Sequence, residues 1–318
     1  MGKYTEVTTN QVNDILSRYG LPKSKKVTPT TAGISNSNYQ VTLVNGQTIL
    51  LKISNDKDIQ ELAQEQKILL MLKKYHFPFS LAPLKTLQGK AVYEFENLHG
   101  VIFPFIKAKP PEVSTNTCRQ IGQALGSLHA LKLEKKDLNS IRSHIAVGFA
   151  GPNIDSYIKQ DNAAPDFKHA FLNIFPESLK NIPYNDFPSG VIHGDLYYDN
   201  SLFKNDKIIT LIDFEQSGRG RFILDIGIAL SGSCFNSNLT NLNMKLMEEF
   251  LSGYEESRKL TELENRYLLT SVIVGFFSIS LWRIKRFYEG NLDPSKKYHY
   301  QNLVMRAQNF YKRYGRES

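Results

Sequence analysis

The sequence predicts an α+β protein with a small β-rich N-terminal lobe and a larger, mainly helical C-terminal lobe. In the first lobe, alternating apolar residues flank Asn45-Gly46, a pattern that strongly indicates a β-hairpin. Two prolines in KAKPPEVS, residues 107–114, mark a break. After it, apolar residues recur mostly at helical spacing. We therefore predict domains at residues 1–106 and 107–318, with a hinge near residues 103–111.

The elements of the first lobe follow from the spacing of its apolar residues. Helical spacing predicts a first helix at residues 8–19 and an amphipathic helix at residues 56–74. Alternation on both sides of Asn45-Gly46 predicts the two arms of the hairpin. Further strand-like segments are residues 81–87, 90–95 and 100–105.

The second lobe is predicted to be helical apart from a pair of strands near residues 191–193 and 208–213. The segment SVIVGFFSISLW, residues 271–282, is too short to span a membrane, so we expect a buried helix there. The predicted helical segments are residues 118–128, a long segment around 154–180, and residues 244–254, 263–282 and 298–314.

Composition and charge predict a cytoplasmic protein without a nucleic-acid or membrane partner. The chain has 318 residues and a net charge of +8, but its basic residues form no long block. A site for an anionic small molecule is therefore the favoured explanation of the charge. The N-terminus lacks the apolar region of a secretory signal. The two cysteines, Cys118 and Cys234, do not make a disulfide framework.

The loop TTAGISNSNY, residues 30–39, is a candidate anion-binding turn. Gly33 permits close approach of the backbone, and Ser35, Asn36 and Ser37 offer hydrogen-bond donors beside the main-chain amides. A run rich in Ser and Asn is also typical of a solvated turn. The pattern matches neither GxxxxGK[ST] nor the full GxGxxG.

A lysine, Lys52, interrupts the apolar segment TILLKIS. A charge on such a strand is unfavourable unless it is paired. Glu65 is the candidate partner, because it lies one turn from Leu62 and Leu69 on the following helix. The alternative is an edge-strand lysine whose amine reaches water.

Three polar residues in two largely apolar segments indicate phosphoryl transfer. Asp195 and Asn200 lie in VIHGDLYYDNSLF, residues 191–203, and Asp213 lies in IITLIDFE, residues 208–215. Phosphoryl transfer needs a group that accepts the proton of the attacking hydroxyl and hard oxygen ligands for Mg²⁺. Asp195 fits the first role, and Asn200 and Asp213 fit the second. A loop closed by Asx turns would explain any one of them alone.

These motifs resemble a known family. HGDLYYDN followed by IDFE resembles the catalytic loop and metal-binding segment of the aminoglycoside- and choline-kinase-like phosphotransferases, which share the protein-kinase fold. Within that superfamily, AGISNSNYQV, VIHGDLYYDNSLF and LWRIKRFYEGNLDP are most similar to segments of the kinase-like homoserine kinases. The resemblance covers nearly the whole chain and implies a bilobal kinase-like fold.

The resemblance implies an enzyme that uses ATP and Mg²⁺ to phosphorylate a small hydroxyl-bearing metabolite, with L-homoserine as the best candidate acceptor. It implies that Lys52, held by Glu65, binds the α- and β-phosphates. The other residues implied in nucleotide binding are Gly33, Ser35, Asn36 and Ser37 over the phosphates, and Phe103, Phe105 and Ile106 at the adenine.

In the second lobe, the resemblance implies that Asp195 orients the acceptor hydroxyl and that Asn200 and Asp213 ligate Mg²⁺. His193 is a candidate substrate contact, although a bracing role in the loop is the preferred interpretation. Arg286 is a candidate for holding a substrate carboxylate, with a solvated helix arginine as the alternative.

Three features depart from the homoserine branch. Gly194 stands where that branch usually has Ala, Glu215 and Gln216 stand where aromatic residues are common, and the segment LWRIKRFYEGNLDP that contains Arg286 carries one extra residue. Choline-, thiamine- or aminoglycoside-type acceptors are therefore alternatives. A non-catalytic kinase-like module is a further alternative, but it would be expected to lose Lys52, Asp195 or Asp213, and all three are present.

Overall fold

The computed structural model describes residues 4–30, 36–177, 179–235, 242–290 and 293–315, with only the backbone of Val147. The chain divides into two compact units, Met1–Lys107 and Ala108–Ser318. The first contains an antiparallel sheet and the second is mainly helical, so the predicted α+β class is confirmed. The functional labels given to the two domains remain predictions.

The N-terminal unit contains a sheet with the strand order β1-β2-β3-β5-β4, in which neighbouring strands are antiparallel. The turn at Asn45-Gly46 joins β2 to β3, so the predicted hairpin is confirmed. The elements are α1 (Thr9–Ser17), β1 (Ser24–Thr30), β2 (Asn36–Leu43), β3 (Thr48–Ser54), α2 (Ile59–Lys74), β4 (Val92–Phe95) and β5 (Leu98–Pro104).

Alternation along the hairpin builds the core of this unit. Val41 and Leu51 point inward from β2 and β3 and pack in one cluster with Ile15 and Leu16 of α1. Residues 81–87 do not form the predicted strand. Leu84 N donates to Ile102 O (2.8 Å), but Pro83 lacks the N–H that a regular strand would use.

In the C-terminal unit, helices surround two short antiparallel ribbons. Its elements are α3 (Thr115–His129), α4 (Lys135–Ser140), α5 (His144–Val147), α6 (Gly151–Ile158), α7 (Pro165–Ile174), β6 (Ser189–Ile192), β7 (Ser201–Lys204), β8 (Lys207–Leu211), β9 (Gly218–Arg221), α8 (Phe222–Ser233), α9 (Met244–Glu255), α10 (Glu262–Arg266), α11 (Leu268–Arg283) and α12 (Tyr300–Tyr314). A π-helical stretch, Ile284–Glu289, follows α11 directly.

Two sequence predictions for this unit need correction. The expected long helix around residues 154–180 is two helices, because Pro165 begins α7 and its ring is incompatible with a continuing helix. Both predicted strand-like segments are strands, but each pairs elsewhere: β6 pairs with β9 and β8 pairs with β7.

Helix α11 is the buried helix that the apolar window predicted. It packs closely on α8, because a Cβ on Gly227 would lie 2.1 Å from the carbonyl oxygen of Ser271. Within the described residues, Leu268–Glu289 is long and apolar enough to cross a membrane by length and composition, but 67% of its most apolar window is buried inside the protein. That burial is typical of a core helix.

Candidate active site

Lys52 and Glu65 lie close together in the N-terminal unit. Lys52 is on β3 and Glu65 is on the buried face of α2, with side chains 15% and 4% exposed. Lys52 Nζ lies 4.0 Å from Glu65 Oε1. The structure therefore brings together the two residues that the sequence suggested as partners.

A second lysine, Lys57, holds Glu65 more closely. Lys57 Nζ lies 3.0 Å from Glu65 Oε2, and Gln66 donates a hydrogen bond to Glu65 Oε1 at 3.2 Å. Lys57 follows β3 in a short loop and carries no motif signal, so sequence reasoning missed it. The buried carboxylate is thus shared between two lysines.

The candidate phosphate loop is described only in part. Gly33 and Ser35 lie outside the described residues. Asn36 begins β2 opposite Ser54, and it is largely buried. Ser37 is fully buried, and its hydroxyl accepts hydrogen bonds from Thr5 N (2.7 Å) and Asn55 Nδ2 (3.0 Å). The Ser37 side chain therefore braces this end of the sheet.

The candidate adenine-binding segment continues from β5. Phe103 is in the strand, paired with Leu50, and is mostly buried. Phe105 N donates to Thr48 O at 3.3 Å, so that amide is used within the unit. Phe105 and Ile106 remain partly exposed, and their role at adenine stays a prediction.

In the C-terminal unit, Asp225 of α8 fixes the backbone of the candidate catalytic loop. Its carboxylate accepts hydrogen bonds from His193 N (2.7 Å), Gly194 N (2.8 Å) and His129 Nε2 (3.0 Å). Burial would raise the pKa of Asp225, but these donors, His129 foremost, hold it below its usual value. Asp225 is therefore a buried carboxylate whose negative charge is matched by three N–H groups.

His193 is buried inside the same loop. Burial lowers the pKa of its ring, which is therefore neutral. Nε2 donates to Ile212 O (2.9 Å), and Nδ1 accepts from Asp195 N at 3.4 Å. Both ring nitrogens hydrogen-bond to the backbone, one within the loop and one at Ile212. This geometry favours a bracing role for His193 over substrate contact.

Asn200 and Asp213 are brought together by the backbone. Ile212, the residue before Asp213, donates its N–H to Asn200 O at 2.9 Å. Asn200 Nδ2 donates to Asp195 O at 2.7 Å, which leaves Oδ1 as the amide atom suited to a cation. Asp213 has φ 62° and ψ 56°, a left-handed conformation that Asp adopts more readily than most L-residues and that recurs at functional sites.

Asp195 stands in a concentrated negative field. It stays partly exposed, yet burial of its carboxylate raises its pKa well above the usual range. The charges of Asp213, Asp199 and Glu215 raise that pKa further. Four acidic groups so placed repel one another, and a bound cation would relieve that repulsion.

The oxygen atoms that Asn200 and Asp213 offer fit a cation that is also bound by the substrate. Among the residues that the structure describes, no three His, Cys, Asp or Glu side chains come together as a metal site. Asn200 and Asp213 offer one amide and one carboxylate. Mg²⁺ is commonly held by one or two such groups, with phosphate oxygens and water as the remaining ligands.

Gly194 is required by the geometry of the loop. Its φ is 82°, and a Cβ there would lie 2.6 Å from Gln216 O and 2.9 Å from His144 Nε2. Alanine, usual at this position in the homoserine branch, would force this loop to shift. His144 is buried below the loop, and no described residue hydrogen-bonds to its ring nitrogens. No sequence signal pointed to this histidine.

The burial of His144 predicts acid sensitivity. Desolvation lowers its pKa from 6.5 to about 4. Above pH 6.5 the ring is neutral in both states. Between pH 6.5 and 4 only the unfolded chain binds the proton, so stability falls as the pH is lowered. Between about pH 7.5 and 5 we expect this one group to remove roughly 2 kcal/mol of the free energy of unfolding.

Urea denaturation of the protein and of His144→Leu at these two pH values measures this effect. Leucine leaves no unsatisfied polar group, so the variant should lose less stability on acidification than the parent protein. His169→Leu is the matched control, because His169 is exposed. Equal pH dependence in the protein and His144→Leu would contradict the assignment.

Arg283, which the sequence did not single out, is an arginine whose positive charge acts on the Asp195 carboxylate. The charge of Arg283 lowers the pKa of Asp195. Arg286, the sequence candidate for a substrate carboxylate, instead lies over the ring of Trp282, with 5.1 Å from guanidinium to centroid. One helical turn separates the two arginines, and no motif distinguishes them.

Sequence comparison finds similar proteins over most of the chain. A family model described as "Phosphotransferase enzyme family" matches residues 26–264. A homoserine kinase of Bradyrhizobium diazoefficiens is 26% identical over 272 residues, which cover 84% of this chain and 81% of that protein. A homoserine kinase of Neisseria meningitidis serogroup B is 25% identical over 294 residues, 91% of this chain and 92% of that protein.

A solved structure supports the fold. The spectinomycin phosphotransferase in complex with ADP and spectinomycin aligns with 95% of this chain and 98% of its own, with a TM-score of 0.64 and 17% identity. At this identity the likeness shows the fold alone.

Proposed function

The chain belongs to the phosphotransferase enzyme family, whose model spans most of its length, and we propose that it transfers the γ-phosphoryl group of ATP to the hydroxyl of L-homoserine. The observation that carries the proposal is the loop in which Asp225 accepts hydrogen bonds from the backbone N–H groups of His193 and Gly194, so that the following residue, Asp195, has a set position. The choice of homoserine is supported by relatives of that name over most of the chain.

In the proposed reaction, the Asp195 carboxylate accepts the hydrogen of the acceptor hydroxyl and aligns its oxygen for attack on the γ-phosphorus. The bond from that oxygen to phosphorus forms as the bond to the β-phosphate bridging oxygen breaks, and ADP leaves. Positioning and charge placement supply most of the rate enhancement.

Asn200 and Asp213 are the proposed protein ligands of Mg²⁺. When bound, this ion would neutralise part of the negative charge of the phosphate groups. In the N-terminal unit, Lys52 is proposed to bind the α- and β-phosphates while Glu65 orients it. The main chain of residues 33–37 is proposed to cover the phosphates, and Phe103, Phe105 and Ile106 to hold the adenine.

A coupled assay of ADP release with Mg·ATP tests the proposal across L-homoserine, choline, thiamine and an aminoglycoside. We expect kcat/KM for homoserine to exceed that for the other acceptors at least about tenfold, a difference of about 1.4 kcal/mol in transition-state binding. Mass spectrometry should identify O-phospho-L-homoserine. Turnover of choline but not of homoserine would overturn the choice of acceptor. Tight nucleotide binding without turnover of any acceptor would favour a non-catalytic module.

A further inference from the structure

Arg142 lies between α4 and α5 and holds the turn that follows Asp213. Its side chain is partly buried, and its guanidinium donates from Nε to Ser217 O at 3.0 Å and from Nη2 to Glu215 O at 2.7 Å. Its own carbonyl oxygen accepts a hydrogen bond from Arg219 N at 2.8 Å. Three hydrogen bonds therefore fix Arg142 and this segment to each other.

The same segment is also held by the candidate catalytic loop. Ile212, just before Asp213, donates its N–H to Asn200 O at 2.9 Å, and its carbonyl oxygen accepts from His193 Nε2 at 2.9 Å. After Asp213, the buried Ser217 hydroxyl donates to His193 O at 2.9 Å. Hydrogen bonds thus fix the chain on both sides of Asp213.

The backbone of Asp213 needs such support. Its φ of 62° and ψ of 56° are left-handed, and a residue in that region is kept there only where its surroundings fix it. The residues that follow, Phe214–Gln216, form a single 3₁₀ turn in which Ser217 N donates to Phe214 O at 3.1 Å. Hydrogen bonds in such turns have poor geometry. The two bonds from the Arg142 guanidinium therefore help to set the direction in which the Asp213 side chain leaves the backbone.

An arginine suits this role because of its shape. Its planar guanidinium presents N–H donors in a fixed fork, so that Nε and Nη2 can meet two carbonyl oxygens at once. A lysine carries the same charge at one point and lacks the fork. No motif in the sequence pointed to Arg142, since its partners are backbone atoms 73 and 75 residues away along the chain.

We propose that Arg142 is a positioning residue for the Mg²⁺ site, which acts by fixing the backbone that carries the Asp213 carboxylate. The proposal rests on the proposed function, in which Asp213 and Asn200 ligate the ion. Partners that orient a metal ligand typically contribute roughly 10- to 100-fold to metal affinity. Charge alone predicts the opposite sign, because the positive charge of Arg142 repels a cation and its removal would strengthen metal binding. The sign of the effect therefore separates positioning from charge.

Calorimetric titration with a non-hydrolysable ATP analogue, with and without Mg²⁺, tests the proposal without catalysis. The ratio of the two affinities measures the contribution of the ion. In Arg142→Gln we expect this ratio to fall roughly 10- to 100-fold, while the metal-free affinity stays within about twofold of that of the parent protein. Arg142→Lys keeps the charge and the apolar stem but not the fork, so its ratio should fall at least about threefold.

The matched control is Arg219→Gln, which removes an arginine charge from the same segment. The Arg219 guanidinium donates to Asn139 Oδ1 at 2.7 Å, so the ratio should stay within about twofold of the parent value. An equal fall in this control would mean that the effect is not specific to the bonds of Arg142. An unchanged or larger ratio in Arg142→Gln would overturn the proposal. An equal fall in the metal-free affinity would do the same, since it would assign Arg142 to the nucleotide site or to the fold.

The titration also separates this inference from the proposed reaction. A reduced ratio in both Arg142 variants supports the role of Arg142 even if no acceptor is phosphorylated. A parent protein in which Mg²⁺ does not change the affinity for the analogue would refute Asp213 as a ligand, and this inference with it. Urea denaturation checks that the variants are folded. If Arg142→Gln does not fold, Arg142→Lys decides, and an unchanged ratio in that variant would overturn the proposal.

Discussion

Asp195→Asn is expected to lower kcat roughly 10²- to 10⁴-fold, the usual contribution of a positioned general base, while ATP affinity stays nearly unchanged. The amide keeps the size of the side chain but cannot take up the hydrogen of the acceptor hydroxyl. The loop should keep its shape, because Asn200 and His193 contact the backbone of residue 195 and not its carboxylate. The loss should therefore appear in the chemical step.

Single-turnover phosphorylation and calorimetric titration with a non-hydrolysable ATP analogue measure the two quantities separately. Asp199→Asn is the matched control, since it removes a carboxylate four residues away in the same loop and should change kcat only a few-fold. Retained activity in Asp195→Asn would show that another group aligns the hydroxyl. A comparable loss in Asp199→Asn would mean that the negative field, and not one base, governs the rate.

The site residues that could be predicted from the sequence are those whose chemistry is concentrated in a short segment. Asp195, Asn200 and Asp213 stand out because polar groups at such spacing conflict with their apolar surroundings. The hairpin at Asn45-Gly46 was predictable for a similar reason, since its turn chemistry is local. Their placement in the structure requires little from distant parts of the chain.

The residues that sequence reasoning missed acquire their roles by packing. Lys57 reaches Glu65 from a loop, and His144 lies under Gly194 only because α5 packs beside β9. Arg283 and Arg286 have equal chemistry, and the sequence does not separate them. In the structure the charge of Arg283 lowers the pKa of Asp195, and the guanidinium of Arg286 lies over the ring of Trp282. The partner of β6 was unpredictable as well, because Gly218–Arg221 has no apolar alternation.

Asp225 lies inside the apolar segment FILDIGIAL, where a charge requires partners. The hydrogen bonds around it extend across the unit. His129 donates from Nε2 to Asp225 and its Nδ1 lies 2.8 Å from the Tyr254 hydroxyl. Arg258 donates to that hydroxyl at 2.8 Å and to both oxygens of the buried Glu264. The chain of bonds fixes His129 as a neutral ring protonated on Nε2.

Asp225→Asn is expected to lower the free energy of unfolding by about 3–5 kcal/mol, the loss typical when one partner of a buried charged network is removed. An amide cannot accept at both oxygen positions, so its NH₂ must face the N–H of His193 or of Gly194. Moving the His129 proton from Nε2 to Nδ1 would let Nε2 accept from the amide. Nδ1 would then no longer accept from the Tyr254 hydroxyl. A donor is therefore left unsatisfied in the interior whichever way the amide turns.

Urea unfolding with an unchanged m-value measures this loss, with Asp161→Asn as an exposed control that should match the parent protein. The remaining folded enzyme should show a lower kcat with an unchanged KM for ATP, because the backbone beside Asp195 loses its anchor. Destabilisation with full kcat would limit Asp225 to a structural role. Equal stability in Asp225→Asn and the parent protein would mean that the amide is accommodated, and the charge at residue 225 would then not be what holds the loop.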